Sequence, residues 1–390
     1  LSLRRQALSM KTEIHSRSSG TLDRPLLLAV FALLGIGLLM IASAGVAYGK
    51  VRFGDEYFFL KQQCVGFIVG ITVSGLTQAA IIVSRIDYHI FRRFVVPFFF
   101  LAIILLVLVF IPGVGTTVYG AARWIELGPF SFQPSEVMKL AIILYLSAWL
   151  SGKQQEKNNA DFFEGYIPFI AILSLVGFLI IKQPDTGTLG LIFCIALAIF
   201  FVSGARISHI LFTLLAGLGA LGVLIRMAPY RMERFLVFLN PEHDPLGSGY
   251  QLRQALMALG SGGWFGAGLG QGRQKFNYLP EPVTDSIFAV LGEEVGFIGV
   301  FVVVTLFLFV AWRGLRIAQR APDVFGKLVA VGIISWIFIQ AMINIMAISG
   351  IIPLTGIPLP FISYGGTSLA VILPAIGILL NISKQARLGA

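Results

Sequence analysis

The sequence predicts an all-α polytopic membrane protein of about ten transmembrane helices, with a large extracytoplasmic loop between helices 7 and 8. Three observations carry this. Hydrophobic residues fill 57% of 390 positions and charged residues only 12%, where a soluble domain carries about 25% charged residues. The apolar residues come in long runs, close to the roughly 20 residues that cross a bilayer at 1.5 Å rise each. Basic residues gather in alternate loops, as membrane topology demands.

Ten runs qualify as spans: 25–47, 59–83, 94–112, 136–152, 165–182, 187–204, 208–226, 286–312, 326–349 and 367–383. The fifth and sixth are separated only by Gln183-Pro184-Asp185-Thr186. The first ends in Ala42-Ser43-Ala44, which resembles a signal-peptidase site. It is over twenty residues long and more spans follow, so an uncleaved first helix is expected. One set of segments holds 17 of the 29 lysines and arginines. These are Arg4, Arg5, Lys11, Arg17 and Arg24; Arg85, Arg92 and Arg93; Lys153, Lys157 and Arg206; Arg313, Arg316, Arg320 and Lys327; Lys384 and Arg387. The opposite short loops hold few, such as Lys50, Arg52 and Arg123. Both termini are therefore expected in the cytoplasm, as a basic tail at 1–24 and a short one at 384–390, flanking a transmembrane domain at 25–383. The same asymmetry explains the net charge of +10, and no basic patch on a soluble domain calls for nucleic acid. Cys64 and Cys194 lie inside apolar runs as small buried hydrophobes. The four histidines show no zinc spacing.

Three outer segments stand apart. Residues 113–135 join the third and fourth spans. Residues 227–285 form the large loop, in which Gln251–Leu259 reads as a short amphipathic helix on the membrane surface. Residues 350–366 are apolar and uncharged, yet proline and glycine forbid a continuous helix. Irregular backbone at membrane depth must be buried in protein or line a wet cavity, so a re-entrant or tightly docked loop is expected. No internal repeat is evident, so an inverted-repeat transporter gains no support.

Several ionisable residues in these segments admit two readings. Thr284-Asp285 enters the eighth span, either as a helix cap or as a general base whose partial desolvation raises its pKa. Glu281, four residues earlier, is a second carboxylate, a metal ligand or a solvated acid. Gln133-Pro134-Ser135-Glu136 is a helix start. Lys139 sits one turn inside the fourth span, where an ionisable group is costly and usually paired or functional. It pairs with Glu136 at i−3, or with Arg123 it contacts a phosphate at the outer leaflet. Asp185 stands in a turn whose composition is expected of any turn. Gly260–Gly272 is glycine-dense, either a phosphate cradle or a closely packed loop, and it lacks the Lys-Ser/Thr of a P-loop. Glu293 and Glu294 are expected to face the bundle interior and meet a partner. Gln340 and Asn344 are spaced to hydrogen-bond neighbouring helices.

Read in order, these segments resemble the SEDS family, the shape, elongation, division and sporulation proteins. The matching stretches are Gln133-Pro134-Ser135-Glu136 with Lys139, Pro184-Asp185-Thr186-Gly187, Tyr230-Arg231-Met232-Glu233-Arg234 and Gly249-Tyr250-Gln251. Then come Tyr278-Leu279-Pro280-Glu281 with Thr284-Asp285, Ile287-Phe288-Ala289 through Gly292-Glu293-Glu294, Gln340 with Asn344, and Leu359-Pro360-Phe361-Ile362-Ser363-Tyr364-Gly365-Gly366. The resemblance covers nearly the whole chain after residue 25. The run Gln274–Pro282 and Gly292-Glu293-Glu294 lean toward the FtsW branch rather than the RodA branch. Two departures stand out: Val283 where the family usually has His, and Ser286 where it usually has Phe.

The resemblance implies a peptidoglycan glycosyltransferase that polymerises lipid II at the outer face of the bacterial cytoplasmic membrane, for septal wall synthesis in cell division. The alternatives are an elongation polymerase, a lipid II flippase and an idle scaffold. It implies a class B penicillin-binding protein as transpeptidase partner, beside other membrane proteins of the division machinery. Asp285 is the expected base of an inverting direct displacement. Arg123, Lys139, Gln133, Ser135, Glu136, Glu281, Asp185 and Arg231 are the expected substrate contacts. No tightly bound cofactor is expected; a divalent cation, magnesium or manganese, is compatible with a pyrophosphate leaving group.

Overall fold

The computed structural model describes residues 22–84, 88–118, 121–127, 130–155, 159–245, 247–276 and 278–386. Residues 1–21, Arg85, Lys157 and the tail from Arg387 lie outside them. The described chain is almost wholly helical. Helices α1 (Arg24–Phe53), α2 (Phe58–Ser84) and α3 (His89–Leu108) come first. They are followed by α4 (Pro134–Gln155), α5 (Ile167–Lys182, entered by a π-turn at Phe162–Tyr166), α6 (Thr186–Val202) and α7 (Ile207–Met227). The long segment between α7 and α10 holds α8 (Pro229–Leu239) and α9 (Ser248–Ser261), and the chain closes with α10 (Ile287–Arg320), α11 (Val324–Ile348) and α12 (Gly366–Gln385).

Each of the ten expected spans falls on one of these helices. By length and composition seven are long and apolar enough to cross a membrane: α1, α3, α5 with its π-turn, α7, α10, α11 and α12. Helix α6 is a shorter apolar helix, and α4 carries Glu136, Lys139 and Lys153. Helix starts follow local chemistry. Asp23 caps α1, accepting from the N–H of Leu26 at 3.0 Å, with proline next inside. Asp323 caps α11 through the N–H of Gly326 at 3.1 Å. Helix α10 runs about two turns past the expected end, so Arg313, Arg316 and Arg320 lie on the helix rather than in a loop.

Helix α11 is the hub, packing against α4, α6, α9, α10 and α12. Of its most apolar stretch 67% is buried, and of α12 78%, against 6% for α7. An apolar helix with that little protein around it presents its sides to lipid. The outer segment 113–135 adds something the helical pattern did not show. It folds into an antiparallel sheet of β1 (Gly115–Val118), β2 (Ala121–Leu127) and β3 (Phe130–Phe132), with Gly115 opposite Ile125 and Ile125 opposite Phe132.

The glycine-dense segment is a packed loop, and its partner is a break in α10. Gly296 has φ +69°, a left-handed conformation that interrupts the helix. The carbonyls this frees at Glu293 and Glu294 accept from the N–H groups of Ala267 and Gly268 at 2.9 and 3.0 Å. The freed N–H groups of Phe297 and Ile298 donate to the carbonyls of Gly263 and Trp264 at 2.8 and 3.2 Å. A Cβ at Gly266 would collide with the Glu294 carbonyl. The glycines thus allow two backbones to touch where a helix must be stitched.

Candidate active site

The site is assembled on the turn that precedes α10. Leu279 and Val283 are buried under it and anchor it to the bundle. The N–H groups of Thr284 and Ser286 both return to the Glu281 carbonyl, at 3.3 and 3.2 Å. The Thr284 hydroxyl lies 2.8 Å from Oδ1 of Asp285 and 3.1 Å from Oε2 of Glu281. One hydroxyl proton cannot serve both acids at once, so the carboxylates compete for it. Tyr48, on α1, donates to Glu281 at 3.3 Å.

The capping explanation for Asp285 does not hold. Ser286 is the N-cap of α10 and no side chain caps the helix. Asp285 is instead half-buried. Burial pushes its carboxyl above the ordinary range, and the neighbouring Glu281 carboxylate pushes the same way. The Thr284 hydroxyl and the more distant Arg234 guanidinium pull it back only in part.

The proline-rich segment 350–366 docks against this turn. Tyr364 N–H donates to the Val283 carbonyl at 2.8 Å, and Ser363 Oγ to the Thr284 carbonyl at 2.5 Å. Asn344 on α11 clamps both partners, donating to the carbonyls of Asp285 and Ile357 at 2.9 and 2.7 Å. Gln340, one turn earlier, donates to the Pro358 carbonyl at 2.9 Å. Gln251 on α9 donates to Ser286 Oγ at 3.2 Å.

Lys139 is placed where the pairing reading put it. Its Nζ is 2.7 Å from Glu136 Oε1 and 3.1 Å from Gln340 Oε1, over the Trp336 ring. Lysine and glutamate are 1% and 3% exposed. This ion pair therefore faces the bundle, not an open surface. Through Gln340 it supports the docked segment beside Asp285. Ser135 is buried in the same corner, and the half-buried Gln133 meets Thr367 through its backbone N–H at 3.4 Å.

A second cluster forms around the turn before α6. Asp185 accepts from the N–H of Thr188 at 3.1 Å and so caps that helix. Arg123 donates to the carbonyls of Gln183, at 3.0 Å, and Pro184. Arg231 on α8 donates to Thr186 Oγ1 at 3.0 Å and to the Leu224 carbonyl at 3.1 Å. The two clusters meet across the docked segment. A Cβ at Gly187 would lie 2.9 Å from the Thr355 carbonyl, and one at Gly356 would lie 3.7 Å from Asp285 Oδ2. Asp285 and Glu281 are thus in direct register, and Asp185, Arg123 and Arg231 flank them from the far side of that segment.

Glu293 and Glu294 face inward and are satisfied there. Glu294 pairs with Lys275 at 2.7 Å and accepts from Ser43 at 2.7 Å. Glu293 accepts from the N–H groups of Arg273 and Gln274 at 2.7 and 3.2 Å. Three contributors were missed in the sequence. Arg234 donates to the Leu354 carbonyl at 3.3 Å; its only signal was the Tyr-Arg-Met-Glu-Arg run. Ser363 and Lys275 stood within the runs Leu359–Gly366 and Gln274–Pro282, but nothing local marked their roles, because each acts through a contact with a distant segment. Among the described residues no three acidic, imidazole or thiol side chains converge as a metal site.

A bundle of long apolar helices bearing a half-buried carboxylate on a docked turn defines a polytopic membrane protein. The chain belongs to the family described as cell cycle protein, the FtsW/RodA/SpoVE family, whose model matches residues 24–388. It is 47% identical over 365 residues to stage V sporulation protein E of Bacillus subtilis, covering 94% of this chain and 98% of that one. It is 42% identical over 366 residues to a probable peptidoglycan glycosyltransferase FtsW of Trichlorobacter lovleyi, covering 94% of each. The structure matches a chain from work on polymerization and crosslinking by a peptidoglycan synthase complex, with a TM-score of 0.75 at 27% identity, covering 95% of this chain and 99% of that one. It also matches the rod shape determining protein RodA of Thermus thermophilus, with a TM-score of 0.68 at 25% identity and the same coverage.

Proposed function

We propose that this protein is a peptidoglycan glycosyltransferase that polymerises lipid II at the outer face of the bacterial cytoplasmic membrane, both termini lying in the cytoplasm. The observation that carries the reading is Asp285: a carboxylate not used as a helix cap, half-buried, and held above its ordinary pKa by burial and by Glu281. That is the environment of a general base.

The donor sugar is α-linked to pyrophosphate and the product is a β-1,4 bond, so one direct displacement inverts the anomeric carbon. The acceptor O4 attacks C1 and its proton passes to the Asp285 carboxylate. The C1–O bond breaks and its electron pair leaves with undecaprenyl pyrophosphate. Arg123 and Arg231, with the half-buried Gln133 just before α4, are the contacts we assign to the substrate, while Ser135 and Glu136, buried with Lys139, hold the start of α4 in place. Glu281, rather than the base Asp285, would be the carboxylate to hold a divalent cation, since magnesium is held by one or two carboxylates together with substrate phosphates. Such an ion, magnesium or manganese, would supply positive charge to the pyrophosphate leaving group.

A class B penicillin-binding protein, with other membrane proteins of the division machinery, is the assembly we assign. The 42% identity to a relative named FtsW supports a septal role. The polar groups that would favour a flippase, Lys139, Glu293 and Glu294, are each paired within the fold. The test is polymerisation of purified lipid II in detergent with the transpeptidase partner present. Wild type should build glycan chains and Asp285→Asn should build none while remaining folded. Near-normal chains from that variant would sink the mechanism.

A further inference from the structure

At the opposite end of the bundle, where the basic residues collect, α10 lines a small open pocket of about 20 Å³ against the start of α1 and the end of α12. Its lining includes Asp23, Arg313, Arg316, Ile317, Arg320 and Ser383. The three arginines stand at i, i+3 and i+7, on one face of the helix. Only one is neutralised. Arg313 is fixed by Asp23, with Nη2–Oδ2 at 2.7 Å and Nε–Oδ1 at 3.2 Å. Asp23 is itself held, donating its N–H to Ser383 Oγ at 3.4 Å. Arg316 lies over the Trp312 ring, 3.9 Å from its centroid. Neither Arg316 nor Arg320 has a carboxylate partner among the described residues. Three guanidinium groups facing one carboxylate leave a positive surplus in a concave wall.

We propose that this pocket binds the phosphate of an anionic phospholipid in the cytoplasmic leaflet. Arginine is the side chain suited to phosphate, because its planar fork donates two hydrogen bonds in parallel. The surface below the arginines chooses a lipid over a soluble anion. Leu308, Trp312 and Leu315 are 49%, 45% and 48% exposed on the same helix, leading from the guanidinium groups into the apolar layer. A headgroup bound at Arg316 and Arg320 lays its acyl chains along that wall. The chain's own tails are poor occupants by charge. Residues 1–21 carry Arg4, Arg5, Lys11 and Arg17 against Glu13, and the other tail carries Arg387.

The experiment uses the full chain, delipidated in neutral detergent, and follows its melting temperature during titration with phosphatidylglycerol, phosphatidylcholine or inorganic phosphate. Phosphatidylglycerol should raise the melting temperature saturably. R316Q/R320Q should weaken that response by about tenfold or more, as expected for loss of charge-assisted bonds, with its lipid-free melting temperature unchanged. R316K/R320K should retain much of the response. An equal response in R316Q/R320Q overturns the proposal. So does an equal response to phosphatidylcholine, which would mean a nonspecific lipid coat, or to inorganic phosphate, which would mean a soluble-anion site. Should the double variant lose its fold, R320Q alone carries the same test, read as phosphatidylglycerol retained on purification.

Discussion

Asp185 and Asp285 each end a proline-bearing turn that opens an apolar helix, yet the two turns use the carboxylate in opposite ways. Asp185 is buried and spends its side chain on the N–H of Thr188 at 3.1 Å. Asp285 leaves the cap position to Ser286, and its carboxylate meets the Thr284 hydroxyl 2.8 Å away, with Glu281 just beyond. A capping carboxylate is stabilised as an anion by the helix dipole. One that is half-buried beside a second acid is destabilised as an anion, and so is ready to take a proton. The same residue type in the same local pattern caps a helix in one place and, on the reading proposed above, serves as the base in the other.

Asparagine at each position separates the two most sharply. Asparagine caps a helix about as well as aspartate, so Asp185→Asn should fold and polymerise close to wild type. Asp285→Asn removes the base, and general-base losses run to about 10²–10⁴ in rate. Lipid II polymerisation, scored beside the detergent melting temperature, checks both at once.

This contrast could not be read from the chain, because Pro184-Asp185-Thr186 and Val283-Thr284-Asp285 are both plausible caps. What decides is the segment 350–366 lying between them, with Asn344 holding the Asp285 carbonyl and Ser363 the Thr284 carbonyl from distant positions. By contrast, the Glu136–Lys139 pair was legible, since i and i+3 on a helix always adjoin. The ten helices were legible from apolar run length. The inward fate of Glu293 and Glu294 was legible too, though not their partners. Lys275 and the stitched break at Gly296 depend on a loop folding back onto its own helix. The sheet at 115–132 escaped notice because its strands are short and lie in what reads as a loop.

The buried ion pair offers the next largest effect. Lys139→Met would leave Glu136 in the bundle without its cation, and breaking a buried pair costs about 3–5 kcal/mol. The expected result is a clear fall in the detergent denaturation midpoint. Adding Glu136→Leu should recover much of the loss, since an apolar pair leaves no stranded charge. Lost polymerisation with an unchanged midpoint would instead place Lys139 in contact with substrate.

A smaller effect concerns pH. A base works only when deprotonated, and the Asp285 pKa is raised, so activity should fall with acidification at a pH above the ordinary aspartate range. Glu281→Gln removes the like charge and should move this acidic limb to lower pH. An unmoved limb would mean that burial alone sets the base.

The smallest effect tests the structural side of the comparison. Asp185→Ala deletes the cap on α6, a loss of about 1 kcal/mol at a typical site. The turn should otherwise persist, because Arg123 and Tyr230 bind its Gln183 and Pro184 carbonyls rather than the carboxylate. Arg231 likewise bonds the Thr186 hydroxyl. A small drop in melting temperature, rescued by asparagine, with polymerisation nearly intact, is the outcome expected of a cap. If Asp185→Ala instead stopped polymerisation in a protein that melts like wild type, the carboxylate would have to touch substrate. The two aspartates would then be partners across the docked segment, and the division of labour drawn between them would fail.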